Sequence, residues 1–208
     1  MGTVYNPNSP NKPTLTDVRN AGEYATTFRW SLTFTEPPRF WNNNDTLLKH
    51  MNVLCYSTTL PSKSVEDILI AVRGHKHYQP GRVVPNGSIT LVNNETVNNQ
   101  THLFCTQWQE SIWAHNTGVG LNYNDFVANT IRITLLDYTD NPILHYDLKW
   151  CFLENYTYPE LSGSASGPFQ TTITLSYNDF FILNPDGTRA IGDLNLYDTA
   201  VLVPSNAQ

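Results

Sequence analysis

Charge is what this chain has least of. Only 14% of its 208 residues are Asp, Glu, Lys or Arg, against about 25% in an average globular protein. The balance of 12 basic to 18 acidic residues is a net −6, which argues against a protein that grips phosphates with clustered Lys and Arg. No apolar run approaches the roughly 20 residues that span a bilayer as a helix. The opening MGTVYNPNSPNKP lacks the apolar segment of a secretory signal, and Asn6 stands where a myristoylation motif has Ser or Thr, so neither leader nor lipid anchor is expected. Cysteine is sparse as well. Cys55, Cys105 and Cys151 are odd in number, widely spaced and free of any CxxC, which predicts reduced thiols rather than a disulfide framework.

Catalytic signatures are missing too. There is no P-loop, and Gly118-Val119-Gly120 is not preceded by a strand and followed by a helix as a dinucleotide turn is. Ser111 and Ser162 sit in no GxSxG elbow. Glu66-Asp67 and the separated Asp137 and Asp147 read as solvated strand residues, not as a carboxyl pair set about 5–10 Å apart in a cleft. His75 and His77 would share a face of an extended segment, but a metal site needs a third ligand. The chain is therefore read as a non-enzyme with no cofactor and no metal. The Asn-X-Ser/Thr triplets at Asn44, Asn86, Asn94, Asn99 and Asn155 are read as chance in an Asn- and Thr-rich chain.

What is present is Asn, Thr and Ser around an ordinary complement of apolar residues, 40% of the chain. A polar but weakly charged surface suits packing against copies of itself, and equally a secreted β-protein. One domain is expected from the length. Residues 1–25 are Asn- and Pro-rich and read as an extended arm. Over residues 27–35, Phe28, Trp30, Leu32 and Phe34 alternate with polar residues, a half-buried strand ended by Glu36-Pro37-Pro38. Asp45 would cap a short helical turn burying Leu47, Leu48 and Met51. Residues 67–73 read as a strand with Ile68, Ile70 and Val72 on one face. Its expected antiparallel partner is 88–92, reached through a loop holding Pro80-Gly81.

One long helix is predicted, from about 98 to 115, with Phe104, Trp108 and Ile112 on its apolar face and Leu103 and Trp113 widening it. Thr96 or Asn98 would cap its start, and Gly118 lies past its end. Residues 131–138 and 143–153 flank a hairpin turn at Thr139-Asp140-Asn141-Pro142. In the second arm Leu144, Tyr146, Leu148, Trp150 and Phe152 would face the core, with His145, Asp147, Lys149 and Cys151 facing away. A flexible loop follows at 162–168. The last strand sets Phe169, Thr171, Ile173, Leu175 and Tyr177 against Gln170, Thr172, Thr174 and Ser176. Six or seven strands with one helix give an all-β antiparallel sandwich or barrel with a flanking helix. Trp30, Trp108 and Trp150 are expected in the core, and Trp41 in a loop at a subunit contact.

The order of these pieces resembles a known family. The stretch TTLPSKSVEDILIAVRGHKHYQPGRVVPNG (58–87) has a Leu-Pro turn, a strand and a Gly-punctuated bend leading through Pro-Gly to SITLVNNET. A Trp-bearing helix comes next. The hairpin IRITLLDYTDNPILHYDLKWCFL follows, ending in a Tyr-Pro-Glu-Leu corner, and TTITLSYNDFFI closes the pattern. Over roughly residues 26–183 this resembles the tail tube proteins of contractile-tailed bacteriophages, which are related to secretion-system tube proteins. The resemblance implies an N-terminal arm (1–25), a tail-tube β domain (26–183) and a C-terminal extension (184–208). It implies stacked homohexameric rings whose strands join in one ring-shaped β-barrel around a DNA conduit.

The implied partners are copies of the chain itself, the tail sheath, baseplate and tail terminator proteins, and, transiently in the lumen, the tape measure protein and genomic DNA. Membrane binding is not expected. Assembly would take place in the host cytoplasm and end in the virion. On this reading the small hydroxyl-bearing residues Ser88, Thr90, Thr134, Thr172, Thr174 and Ser176 face the lumen, with Arg132 awkwardly among them. Trp41, His75, His77 and Tyr78 meet neighbouring subunits. A baseplate tube-initiator or a secretion-system tube homologue is the alternative in the same class. A carbohydrate-binding β-sandwich module is the alternative in another.

Overall fold

The computed structural model describes residues 26–41, 45–162 and 167–190. The N-terminal arm, Asn42 to Asn44, the middle of the 162–168 loop, most of the C-terminal extension and the side chain of Asp45 lie outside the described residues. Within them runs one antiparallel sheet. Its strands are β1 (Trp30–Glu36), β2 (Cys55–Thr58), β5 (Ser88–Asn94), β6 (Ala128–Leu136), β7 (Pro142–Thr157), β8 (Gln170–Ser176) and β9 (Asp179–Leu183). Neighbours follow the order β1-β6-β7-β8-β5-β2, with β9 on the free side of β7. β1 and β2 do not pair, so the described strands form no closed barrel. Three helices, α1 (Asp45–Leu54), α2 (Gln100–Ile112) and the single turn α3 (Tyr123–Phe126), and a 3-10 turn (Arg39–Trp41) accompany it. β3 (Lys63–Val72) and β4 (His75–Pro85) form a separate two-stranded hairpin.

β7 explains how one sheet makes two layers. Its first half pairs with β6 on one side and β9 on the other, and its second half pairs with β8. Between the halves Trp150 adopts φ 53, a left-handed conformation that costs a bulky residue energy and bends the strand. The bend also shifts the alternation. Leu148 is buried, but Cys151 and Leu153 take the core positions after it, leaving Trp150 46% exposed. The expected core places of Trp150 and Phe152 are thus corrected, as are the expected exposed places of His145, Asp147 and Cys151, all three of which are buried. β8 follows the period of two as predicted: Thr171, Ile173, Leu175 and Tyr177 are buried.

The core is aromatic where the helix meets the sheet. Trp41 is 2% exposed. It stacks on Phe104 at 4.2 Å between centroids and meets Trp108 edge-on at 5.3 Å, with Phe34 closing the cluster. Both indoles have acceptors: Trp108 Nε1 donates to the Phe126 carbonyl at 2.7 Å, Trp41 Nε1 to Gln107 Oε1 at 3.3 Å. Trp41 is therefore a core residue, and its assignment to a subunit contact is corrected. The Pro37-Pro38 stop turns the chain back over α2 and carries the indole inward.

The helix is shorter than predicted, and its apolar face narrower. Leu103 and Trp113 are exposed. Its first turn is satisfied neither by Thr96 nor by Asn98. The Glu95 carboxylate accepts from the backbone N–H groups of Thr96, Thr101 and His102 at 3.0–3.1 Å, which favours an anion at the helix start. α1 buries Leu47 and Met51 as expected. The β6–β7 turn is an Asx-type turn, Asp137 Oδ1 accepting from Thr139 and Asn141 N–H at 2.7 and 2.8 Å.

Candidate assembly surfaces

The first surface is the β3–β4 hairpin. β3 was expected to pair with 88–92. It pairs with β4 instead, and β5 takes β8 as its partner. Two residues join the strands, Arg73 (φ 47) and Gly74 (φ 83), the two positive φ values that match the twist of a tight hairpin. The Pro-Gly expected to punctuate a loop sits inside β4, opposite the register shift between Val65 and Asp67. A Cβ on Gly81 would lie 2.8 Å from the Glu66 carbonyl oxygen, so glycine there permits the close approach of the two backbones. Every residue of β3 is exposed, including Val65, Ile68, Leu69, Ile70 and Val72. Across the ladder Ile70 stands opposite His77, Val72 opposite His75 and Leu69 opposite Tyr78. Both faces of this ribbon thus carry exposed apolar residues, although a two-stranded hairpin is marginal alone in water.

The second surface is the outer side of β5 and β8. Thr90 lies opposite Thr174 and Ser88 opposite Ser176, with Thr172 opposite Val92. On the far side Asn155 and Thr157 of β7 continue the same face beside Thr174 and Thr172. Neither β5 nor β8 contains a charged residue, while their inner residues Ile89, Leu91, Ile173 and Leu175 fill the core. The result is a hydroxyl and amide face fixed by a buried apolar underside.

Thr134 is not part of that face. It lies on β6, buried, its hydroxyl 2.9 Å from His145 Nδ1. It is one rung of a polar ladder whose other rungs are Arg132 on Asp147, at 2.6 and 2.9 Å, and Lys149 donating to Thr130 at 2.6 Å. Each rung joins residues directly opposite on β6 and β7. The guanidinium that looked misplaced on a neutral surface is thus neutralised by a buried carboxylate off that surface. Burial, with Arg132 nearby, holds the His145 imidazole below its ordinary pKa of 6.5.

The third surface was not read in the sequence. The loop after α2 folds back on the helix end: Leu121 N–H donates to the Ser111 carbonyl at 2.8 Å and Ala114 N–H to Val119 at 3.1 Å. Gly120 comes so close that a Cβ would fall 2.0 Å from the Ile112 carbonyl oxygen. This leaves an open groove of about 740 Å³ between loop, helix end and the 3-10 turn, lined by Phe40, Gln107, Glu110, Val119 and Leu121 among others. Trp113, Val119 and Leu121 are exposed beside it. The signal available was Gly118-Val119-Gly120, which reads as a helix stop and an incomplete nucleotide motif and not as a loop folded back on the helix.

Among the described residues no group of three or more His, Cys, Asp and Glu could hold a metal, so His75 and His77 lack a third ligand there. The three cysteines are free, and burial pushes each thiol up to about 12, away from the reactive thiolate. No described helix is long and apolar enough to cross a membrane.

No protein-family model matches the sequence, and no curated protein matches it closely enough to count. Solved structures do share the fold. A chain of the anti-feeding prophage (AFP) baseplate, solved with 6-fold symmetrisation, is 15% identical with a TM-score of 0.56, over 79% of this chain and 98% of that one. A chain of the PVC extracellular contractile injection system sheath-tube complex is 16% identical, TM-score 0.54, over 82% and 99%. One from the anti-feeding prophage tube-terminating cap is 15% identical, TM-score 0.53, over 78% and 93%. The fold is therefore shared with chains from the baseplate, sheath-tube and cap structures of contractile injection particles.

Proposed function

We propose that this chain is a tube subunit of a contractile particle, the tail tube protein of a contractile-tailed phage, which polymerises as stacked homohexameric rings inside a sheath. The observation that carries the reading is the β3–β4 hairpin, whose strand β3 is exposed along its whole length and which is apolar on both faces. A monomer has no use for such a surface, whereas a ring can bury it and remove free strand edges at the same time. The shared fold with 6-fold symmetrised and sheath-tube components supports the same assembly.

In that ring Ser88, Thr90, Thr172, Thr174 and Ser176 line the conduit, and the hairpin residues His75, His77 and Tyr78 meet neighbouring subunits. The sheath, baseplate and terminator are the stable partners, with the tape measure protein and genomic DNA passing through. The chain assembles in the host cytoplasm and resides in the virion.

Electron microscopy and light scattering of the purified chain over a wide concentration range test the reading. Rings or tubes forming without cofactor are expected. A monomer at every concentration, in the presence of sheath and baseplate too, would overturn it. The structural likeness to baseplate and cap components favours one second reading, a ring that begins or ends the tube. Single rings that never stack would select it.

A further inference from the structure

We propose that the groove at the carboxy-terminal end of α2 is the seat of the outer half of the hairpin from a second copy of this chain, in a head-to-tail contact. The inference rests on the reading that the chain self-assembles and names where the hairpin goes.

Charge is the first argument. From Ile68 to Asn94 there is no carboxylate, so the hairpin tip presents Arg73 and Lys76. Neither has an ion-pair partner among the described residues, whereas Arg82 and Lys63 nearer the root pair with Glu66 and Asp179. The groove is the complement. Glu110 is the one charged side chain lining it. The C-terminal carbonyls of α2 add the partial negative charge of a helix end.

Apolar surface is the second argument. Ile68, Ile70 and Val72 share one face of the tip, and Trp113, 61% exposed, stands with Val119 and Leu121 beside the groove. The hairpin does not fold back on its own groove, since all of β3 is exposed, which leaves another molecule as the occupant. Two different surfaces on one chain that fit each other make a heterologous contact. Such a contact closes into a ring where the rotation allows and otherwise runs on as a filament.

Because the two halves are distinct, each can be disabled alone. A hairpin variant (Ile70→Asp with Lys76→Glu) and a groove variant (Glu110→Lys with Leu121→Asp) are each checked for folding by circular dichroism, then followed by sedimentation. Each alone is expected to need a roughly tenfold or higher concentration to assemble. An equal mixture of the two is expected to give dimers and nothing longer, because one intact hairpin then meets one intact groove. A photo-crosslinking amino acid replacing Val119 in the otherwise unaltered chain is expected to capture a peptide from 68–79 of another copy.

Assembly of the groove variant at the parent's concentration, with the hairpin variant defective, would overturn the groove and leave the tube reading standing. Capture of any other segment, residues 1–25 included, would overturn it too. A parent chain that never assembles would remove both.

Discussion

An imidazole packed beside a guanidinium is a poor place to add a proton, and His145 occupies such a place. It is buried on β7, bonded to Thr134, and faces Arg132, Asp147 and the Pro185 carbonyl. Burial lowers its pKa most, Arg132 lowers it further, and Asp147 opposes both. The unfolded chain therefore binds more protons than the folded one below the ordinary value of 6.5. The resulting stability is complete above pH 6.5 and is lost as the pH falls through that value toward the lower folded pKa. Asp137 and Asp186, whose pKa values their hydrogen bonds lower from 3.8, act only in more acid solution. His145→Gln is expected to flatten the dependence of the urea midpoint on pH just below 6.5 and leave the acid limb unchanged. An equal slope in parent and variant would assign it to other groups. Trp41 gives a second test at this scale. Trp41→Ala should cost about 3–5 kcal/mol, as for a large aromatic removed from a packed core, while Trp150→Ala at the exposed bend should cost far less. Chemical denaturation of the two variants decides it.

Individual elements divide into those that hold the subunit and those that stand free of it. The hairpin pairs with no strand of the main sheet, so damage there should separate assembly from stability. Gly74→Val places a β-branched residue at φ 83, where such residues are strained. The expected outcome is an unchanged thermal midpoint for the subunit together with lost or delayed assembly by light scattering. A lowered midpoint would show that the hairpin braces the fold. Conversely, Glu95→Ala removes the carboxylate acceptor from the first turn of α2 and should cost about 0.5–2 kcal/mol, without touching the hairpin or the groove proposed to receive it.

The elements also show what a single sequence discloses. The alternation in β1 and β8, the turn at Thr139-Asp140-Asn141-Pro142, and the apolar spacing of Phe104 and Trp108 are local patterns, and each gave the right element. Pairing is not local. The segment 75–85 contains two prolines, a glycine and two histidines, so it read as loop, and only the turn at Arg73-Gly74 could have shown that it doubles back. The phase shift at Trp150 is likewise invisible to a period of two, since one residue of bend moves every later side chain to the other face. Trp41 and Trp150 depart from their expected places for these reasons: a proline stop turned one inward and a bend turned the other out. The groove depends on how a loop folds over a helix end, and spacing alone does not contain that.

If the chain builds a conduit for DNA, as proposed, the question at the scale of the whole molecule is what a long polyanion meets as it passes. Each cation fixed on a conduit wall releases counterions when it takes a phosphate, and holds the strand accordingly. The face of β5 and β8 has none, and Arg132, the nearest candidate in the sequence, spends its charge on Asp147. If that face lines the conduit, charge introduced there should act on transit and not on assembly. Thr90 and Thr174 are directly opposite on neighbouring strands and half-exposed, so lysines at both positions would project from the wall without disturbing the core beneath. Thr90→Lys with Thr174→Lys is expected to leave tubes of normal appearance and to slow the ejection of DNA. Added salt should relieve the delay, because phosphate contacts weaken steeply with ionic strength. Thr130 and Thr134 offer the matching control. They are buried in the polar ladder, so lysine there should destabilise the subunit instead. Ejection from the Thr90 and Thr174 variant at the parent's speed, in low salt and with tubes intact, would place the conduit wall elsewhere on the subunit.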